Sequence, residues 1–410
     1  MGLPSWCRHC AGPQSVPPSY SVTRVLIVPD LPMEHWPSMD RYATRLVRYM
    51  MGHTDDLEIA VATKIAQLTV DDGGSRKGRQ ESGPRPIALE PRLDLSQARR
   101  YLSRYFLYPW KVRRIKADLL HVLDHSYGHI LLSKPHRPTV VTVHDLFPMM
   151  ILKLPASPLQ GRVRNWLLQR TLEGLRQADA WIVATDWLRS EFCDWLGIDA
   201  QQKVHVIPFG VDDEFFLEPE QDRLQVRDFL GLPHGSFVVL HVGSVAPRKN
   251  LSAVAATVQG LRERGIDAWL LQIGGDLSPE QRRDLTTRGI NQVTVARGAA
   301  PEGSLRLAYR ASDVLLFPSH YEGFGLPVLE AMASGLPVVT SGAGGLAEVA
   351  GEAAVVVGGR EAEPYVDSVA RLAQDTAWRD VLVERGLERA SRFRWLHAAK
   401  KTAEVYRTLA

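Results

Sequence analysis

The chain has 410 residues, 45% hydrophobic and 23% charged, with a formal net charge of +3 and three cysteines, Cys7, Cys10 and Cys193. That length allows two or three domains and a full core without disulfides, and so few cysteines fit a reducing compartment. The small charge gives no reason to expect nucleic-acid binding, no run of eighteen apolar residues could span a membrane, and the N-terminus has no apolar stretch of the secretory kind, so a cytoplasmic protein is expected.

Residues 1–21 read as a disordered extension, because 11–20 are rich in Pro and Ser. Cys7 and Cys10 form a CxxC pair around His9, but a zinc site needs four ligands and no second pair follows at a workable spacing. From about residue 22, short apolar strands alternate with helical stretches. The strands are Val25–Val28, Leu57–Ala62, Leu119–Val122, Thr139–Val143, Ala180–Val183 and Val204–Ile207. Helices include Asp40–Met51, with Ser38 as its cap, and Arg162–Arg176. Residues 71–87 have loop composition. Residues 99–116 hold seven cations among aromatics and no acidic residue. That mixture suits an anionic membrane surface, or else an ordinary helix with solvated cations.

The cycle restarts after residue 225, with strands Phe237–Val242, Ala268–Ile273, Val293–Ala296, Val314–Phe317, Val338–Thr340 and Ala354–Val357. The stretch from Arg394 through Tyr406 reads as a long amphipathic helix. Two successive doubly wound units predict an α/β protein with two Rossmann-like domains facing across a cleft. The expected divisions are 22–215, 216–390 and a terminal helix in 391–410.

Three segments could carry chemistry. In Ser319–Thr340, Glu322 and Glu330 stand with seven residues between them, around a turn that opens a helix. Pro327 suits the first helical position and Gly335 the position past the helix end. The N–H groups of Gly323, Phe324, Gly325 and Leu326 would then sit at a helix N-terminus, where anions and above all phosphate are attracted. In Phe237–Leu251 a strand runs into Gly243 and then Arg248-Lys249-Asn250. Arg248 and Lys249 can neutralise a diphosphate, and Asn250 would cap the next helix. In Thr139–Leu146 an apolar strand ends in His144-Asp145, at the sheet edge where ligands bind; the plainer alternative is a buried His bonded to a neighbour.

The first segment closely resembles the signature of retaining glycosyltransferase family 4, which has the GT-B fold. The Gly243 and Arg248-Lys249-Asn250 run resembles the same family's diphosphate loop. The resemblance implies a metal-independent hexosyltransferase using a nucleotide-sugar donor and no other cofactor. It implies roles for Glu322 at the sugar hydroxyls, Glu330 at the ribose, His144 at the transferred sugar and Gly298 near the base. It also implies that the last helix crosses back onto the first domain. The acceptor would be a glycan, a lipid-linked glycan or a small molecule, with polysaccharide or cell-envelope glycan assembly as the default. Ile207-Pro-Phe-Gly-Val-Asp212 matches the family's inter-domain segment except that Phe209 stands where Asn is usual, and Glu34–Arg41 lacks the Gly-rich loop of many relatives. A GT-B sugar-nucleotide epimerase and an inactive sugar-nucleotide-binding scaffold are the alternative readings.

Overall fold

The computed structural model describes residues 22–34, 37–62, 95–133, 136–147, 158–197, 203–216, 222–298, 302–359 and 361–410. The CxxC pair and the 71–87 loop lie outside the described residues. Two six-stranded sheets are present, each wholly parallel. The first has the order β2-β1-β3-β4-β5-β6, with β1 Thr23–Val28, β2 Leu57–Val61, β3 Leu119–Val122, β4 Thr139–Val143, β5 Ala180–Val183 and β6 Val204–Val206. The second has the order β12-β11-β10-β7-β8-β9, with β7 Phe237–Val242, β8 Ala268–Ile273, β9 Thr294–Arg297, β10 Val314–Phe317, β11 Val338–Thr340 and β12 Val355–Val356. The central strands are buried along their length, as helices on both faces of a parallel sheet require.

The strand order reverses between β1 and β3 in the first sheet and between β7 and β10 in the second. Connections leave such neighbours in opposite directions, which opens a crevice at their C-terminal ends. Both crevices face the junction of the two domains.

The terminal helix, Trp395–Leu409, does cross back. Gly210 admits its first turn: a Cβ there would lie 2.1 Å from Trp395 N. Further along, the buried Tyr406 hydroxyl is hydrogen-bonded to His121 Nδ1 of β3 at 2.6 Å, and Arg407 pairs with Asp56 at 2.6 and 2.8 Å. Phe209, in place of the usual Asn, fills the junction with apolar contact. Its ring centroid lies 4.8 Å from Tyr42, 4.9 Å from Phe324 and 5.4 Å from His144. No buried amide needs a partner there.

Local expectations shift in a few places. The first long helix begins at Pro37, so Ser38 lies inside its first turn and does not cap it; Pro has no N–H to satisfy at a helix start. The helix after β10 is Leu326–Ala333, which makes Pro327 its second residue, where the N–H is equally unneeded. Asn250 sits at the cap position of Leu251–Glu263 but its side chain makes no cap bond; its φ of 54 takes the left-handed turn instead. β9 begins one residue late because Val293 closes a short 3-10 turn, and β12 spans only Val355–Val356.

Candidate active site

The second domain's switch point is built from two strand ends. After β7 the chain turns at Gly243 (φ 150) and makes a 3-10 turn, Pro247–Lys249. A Cβ at 243 would come within 3.3 Å of Lys249 Cε, so glycine leaves room for the lysine to fold back. After β10 the chain runs through Ser319–Phe324 to Gly325, whose φ of 99 starts the helix. The two loops are tied by His320 N donating to Arg248 O at 2.7 Å.

Glu322 joins them. Its Oε1 accepts from Lys249 Nζ at 2.6 Å and from Arg248 Nη1 at 3.0 Å. All three side chains are largely buried, so the pairs are weakly screened. Burial lowers the Lys249 pKa from the ordinary lysine value, with Glu322 opposing and Arg248 adding to the shift. Beside this triad the N–H groups of Gly323, Phe324 and Gly325 donate to no acceptor among the described residues. Two fixed cations and open N–H groups at a helix start form a ready cradle for a diphosphate. Gly298 follows β9 and flanks the Gly274–Asp276 turn, where a Cβ on it would lie 3.1 Å from Asp276 Oδ1.

Glu330 lies one turn into the helix and has different partners. Tyr309 donates to its Oε2 at 2.8 Å, and Arg41, from the first domain's helix, pairs with Oε1. Each carboxylate oxygen therefore has one partner and a lone pair left for a further donor.

His144, at the end of β4, is buried among Tyr42 and Phe209. Its Nε2–H donates to Leu123 O at 2.7 Å, which leaves Nδ1 as an acceptor with no partner among the described residues. Burial depresses its pKa, with Asp124 opposing. The residue is thus the buried histidine bonded to a neighbour of the plainer reading, with Nδ1 left over. Its backbone carbonyl abuts Gly323, where any Cβ would come within 1.9 Å. Asp145 acts on Lys249 through its charge and accepts from Phe147 N at 3.0 Å.

The structure brings forward residues that sequence reasoning passed over. Asp30 follows β1 and Asp124 follows β3, so both stand at the first sheet's switch point. Burial and then the charge of Asp124 push the Asp30 carboxyl up to about 9, so it carries its proton at pH 7. Burial also works against ionisation of Asp124, but His125, His144, the Ser126 N–H and Arg104 outweigh it and hold its carboxyl below the usual range. One acid and one carboxylate therefore stand side by side. Four further groups close the domains. Tyr321 OH accepts from Leu146 N at 3.0 Å and donates to Glu191 at 2.9 Å. Thr185 Oγ1 donates to Gly323 O at 3.0 Å, and Glu348 accepts from Asp186 N and Trp187 N at 3.0 and 3.1 Å. The Gly344-Gly345 pair ahead of Glu348 hints at this closeness in sequence: a Cβ on Gly344 would lie 3.2 Å from the Trp187 ring and one on Gly345 3.0 Å from Thr185 Cγ2.

Comparison with known proteins agrees with this fold. The description "Glycosyltransferase Family 4" matches residues 39–215 and "Glycosyl transferases group 1" matches 222–389. A D-inositol 3-phosphate glycosyltransferase of Kineococcus radiotolerans is 35% identical over 317 residues, covering 71% of each chain. The O-antigen chain mannosyltransferase B of Escherichia coli is 29% identical over 292 residues, covering 70% of this chain and 75% of its own. Among solved structures, sucrose-phosphate synthase from Thermosynechococcus elongatus superposes with a TM-score of 0.70 at 21% identity, covering 94% of this chain and 99% of that one. HepE of Anabaena, in complex with UDP-glucose, does so with a TM-score of 0.71 at 17% identity, covering 94% and 100%. The chain belongs to glycosyltransferase family 4 and has the GT-B fold.

Proposed function

We propose that this glycosyltransferase moves a hexose from a nucleoside diphosphate sugar, of the GDP-mannose or UDP-glucose type, to an acceptor hydroxyl with retained anomeric configuration and without a metal. The observation that carries the reading is the Lys249–Glu322–Arg248 cluster beside the open N–H groups of Gly323 to Gly325. In the reaction the bond from the sugar C1 to the β-phosphate oxygen breaks and the bond from C1 to the acceptor oxygen forms. The acceptor proton passes to the departing diphosphate. Arg248, Lys249 and the loop N–H groups stabilise the charge that develops there. Glu322 Oε2, which no described residue uses, accepts from the sugar hydroxyls, and His144 Nδ1 accepts from another. Glu330 accepts from the ribose hydroxyls with the lone pairs that Arg41 and Tyr309 leave. On the opposite wall Asp124 accepts from a second hydroxyl of the acceptor, which keeps its proton, and Asp30 donates to that oxygen. The O-antigen relative supports an acceptor in glycan or cell-envelope assembly, and the D-inositol 3-phosphate relative supports a small-molecule acceptor.

A thermal-shift screen against UDP-, GDP- and ADP-sugars, with the free diphosphates as controls, tests this. One nucleotide series should raise the melting temperature by mass action, in EDTA as in its absence, and the shift should vanish in Lys249→Ala. No shift with any nucleotide, or a shift retained in Lys249→Ala, would overturn the reading; a shift that EDTA abolishes would overturn its metal-free part.

A further inference from the structure

We propose that the segment from Arg99 to Lys116, helical as far as Arg114, docks on an anionic lipid bilayer and holds the first domain's acceptor wall against it. The second half rests on the reading of that wall given above; the docking itself does not.

The segment is one continuous helical run. Leu95–Leu102 passes through a π turn, Ser103–Leu107, into Tyr108–Arg114. One face is anchored. Arg104, Tyr108 and Val112 recur every four residues and turn inward; Tyr108 and Val112 are buried. Tyr108 OH donates to Pro29 O at 2.7 Å, and Arg104 Nη2 donates to Ser126 O and Oγ at 2.9 and 2.8 Å. Pro29 and Ser126 neighbour Asp30 and Asp124, so the helix is bolted to the acceptor wall.

The opposite face has no partner among the described residues. Leu102, Phe106 and Trp110, also four apart, are 53%, 62% and 56% exposed, and Tyr101 and Leu107 flank them. Of the fifteen exposed large hydrophobics among the described residues, five lie in this ten-residue stretch. Single exposed apolar residues are ordinary on any surface; a cluster marks an interaction site. Exposed Arg99, Arg100, Lys111, Arg113, Arg114 and Lys116 surround it with no acidic residue between 99 and 116. Arg114 lies over the Trp110 ring at 3.6 Å. Aromatic and aliphatic side chains framed by cations match the headgroup region of an anionic bilayer, where rings sit among the headgroups and cations meet phosphates. A second copy of the chain would set these cations against one another, which disfavours self-association through this face.

Co-sedimentation of the full chain with phosphatidylglycerol–phosphatidylcholine vesicles, and with phosphatidylcholine alone, tests the proposal without any donor or acceptor. Binding is expected to the anionic vesicles only and to weaken with salt. Replacing three cations together, Lys111→Gln, Arg113→Gln and Arg114→Gln, should lower partitioning about a hundredfold. Phe106→Ser with Trp110→Ser should lower it about tenfold or more. Phe229→Ser, at an exposed position on the second domain (71% exposed), should change nothing. All variants should melt like the parent and keep its nucleotide thermal shift, since none of these residues touches the donor cluster. No partitioning onto anionic vesicles, partitioning indifferent to the 106–114 substitutions, or an equal loss in Phe229→Ser would overturn the proposal.

Discussion

The two sheets share one plan and bring opposite charge to the cleft between them. At the second sheet's reversal stand Arg248 and Lys249, held 3.0 and 2.6 Å from Glu322. At the first stand Asp30 and Asp124, one protonated and one ionised. Parallel sheets of this kind provide a crevice wherever strand order reverses, and side-chain chemistry decides what each crevice holds. The cationic wall is suited to a diphosphate and the acidic wall to a hydroxyl. The two glutamates of the signature repeat the contrast on a smaller scale. Glu322 is held by cations of its own domain, whereas Glu330 is held in part by Arg41 of the other.

The contrast can be broken most sharply at Lys249. Lys249→Ala removes a buried cation and leaves Glu322 with Arg248 alone, so turnover in a donor-consumption assay should fall about 10²–10³-fold. Asp124→Asn acts on the other wall. Losing one charge-assisted bond should reduce transfer about 10- to 100-fold through the acceptor KM, with donor affinity unchanged.

Asp30 sharpens the comparison through pH. Its folded pKa of about 9 lies far above the unfolded value of 3.8, so the native state keeps a proton that the unfolded chain has released. Stability should therefore fall as pH rises from 5 towards 9, and Asp30→Asn should remove that fall. His121 and His241, both lowered to about 3 by burial, act in the opposite sense between pH 3 and 6.5. They are present in both proteins and cancel in the difference between urea melts. The smallest effect concerns Lys249 again. Its depressed pKa means that diphosphate affinity should begin to decline below the ordinary lysine range as pH rises. Lys249→Arg, which stays charged, should move that decline upward.

The cationic wall was the legible one. Gly243, Arg248, Lys249, Glu322 and Gly323 are close in sequence to strand ends, and their order resembles the family's signature. Most strand limits follow from apolar runs bounded by turn residues. The acidic wall was not legible, because a single Asp one or two residues after a strand is a common way to end one, and only the β1–β3 adjacency gives Asp30 and Asp124 a meaning. Arg41 was visible in the Gly-less loop, but its pairing with Glu330, 289 positions away, depends on domain closure. Cap chemistry at Ser38 and Asn250 misled for a local reason: Pro37 and a left-handed backbone did the work that a side-chain oxygen would have done.

Calorimetric titration of the free nucleoside diphosphate into the parent protein, Lys249→Ala and Asp124→Asn tests the division of labour between the walls most directly. The parent and Asp124→Asn should bind alike, and Lys249→Ala should bind about tenfold or more weakly. Equal binding by Lys249→Ala, or a comparable loss in Asp124→Asn, would contradict the assignment of the diphosphate to the second sheet's crevice.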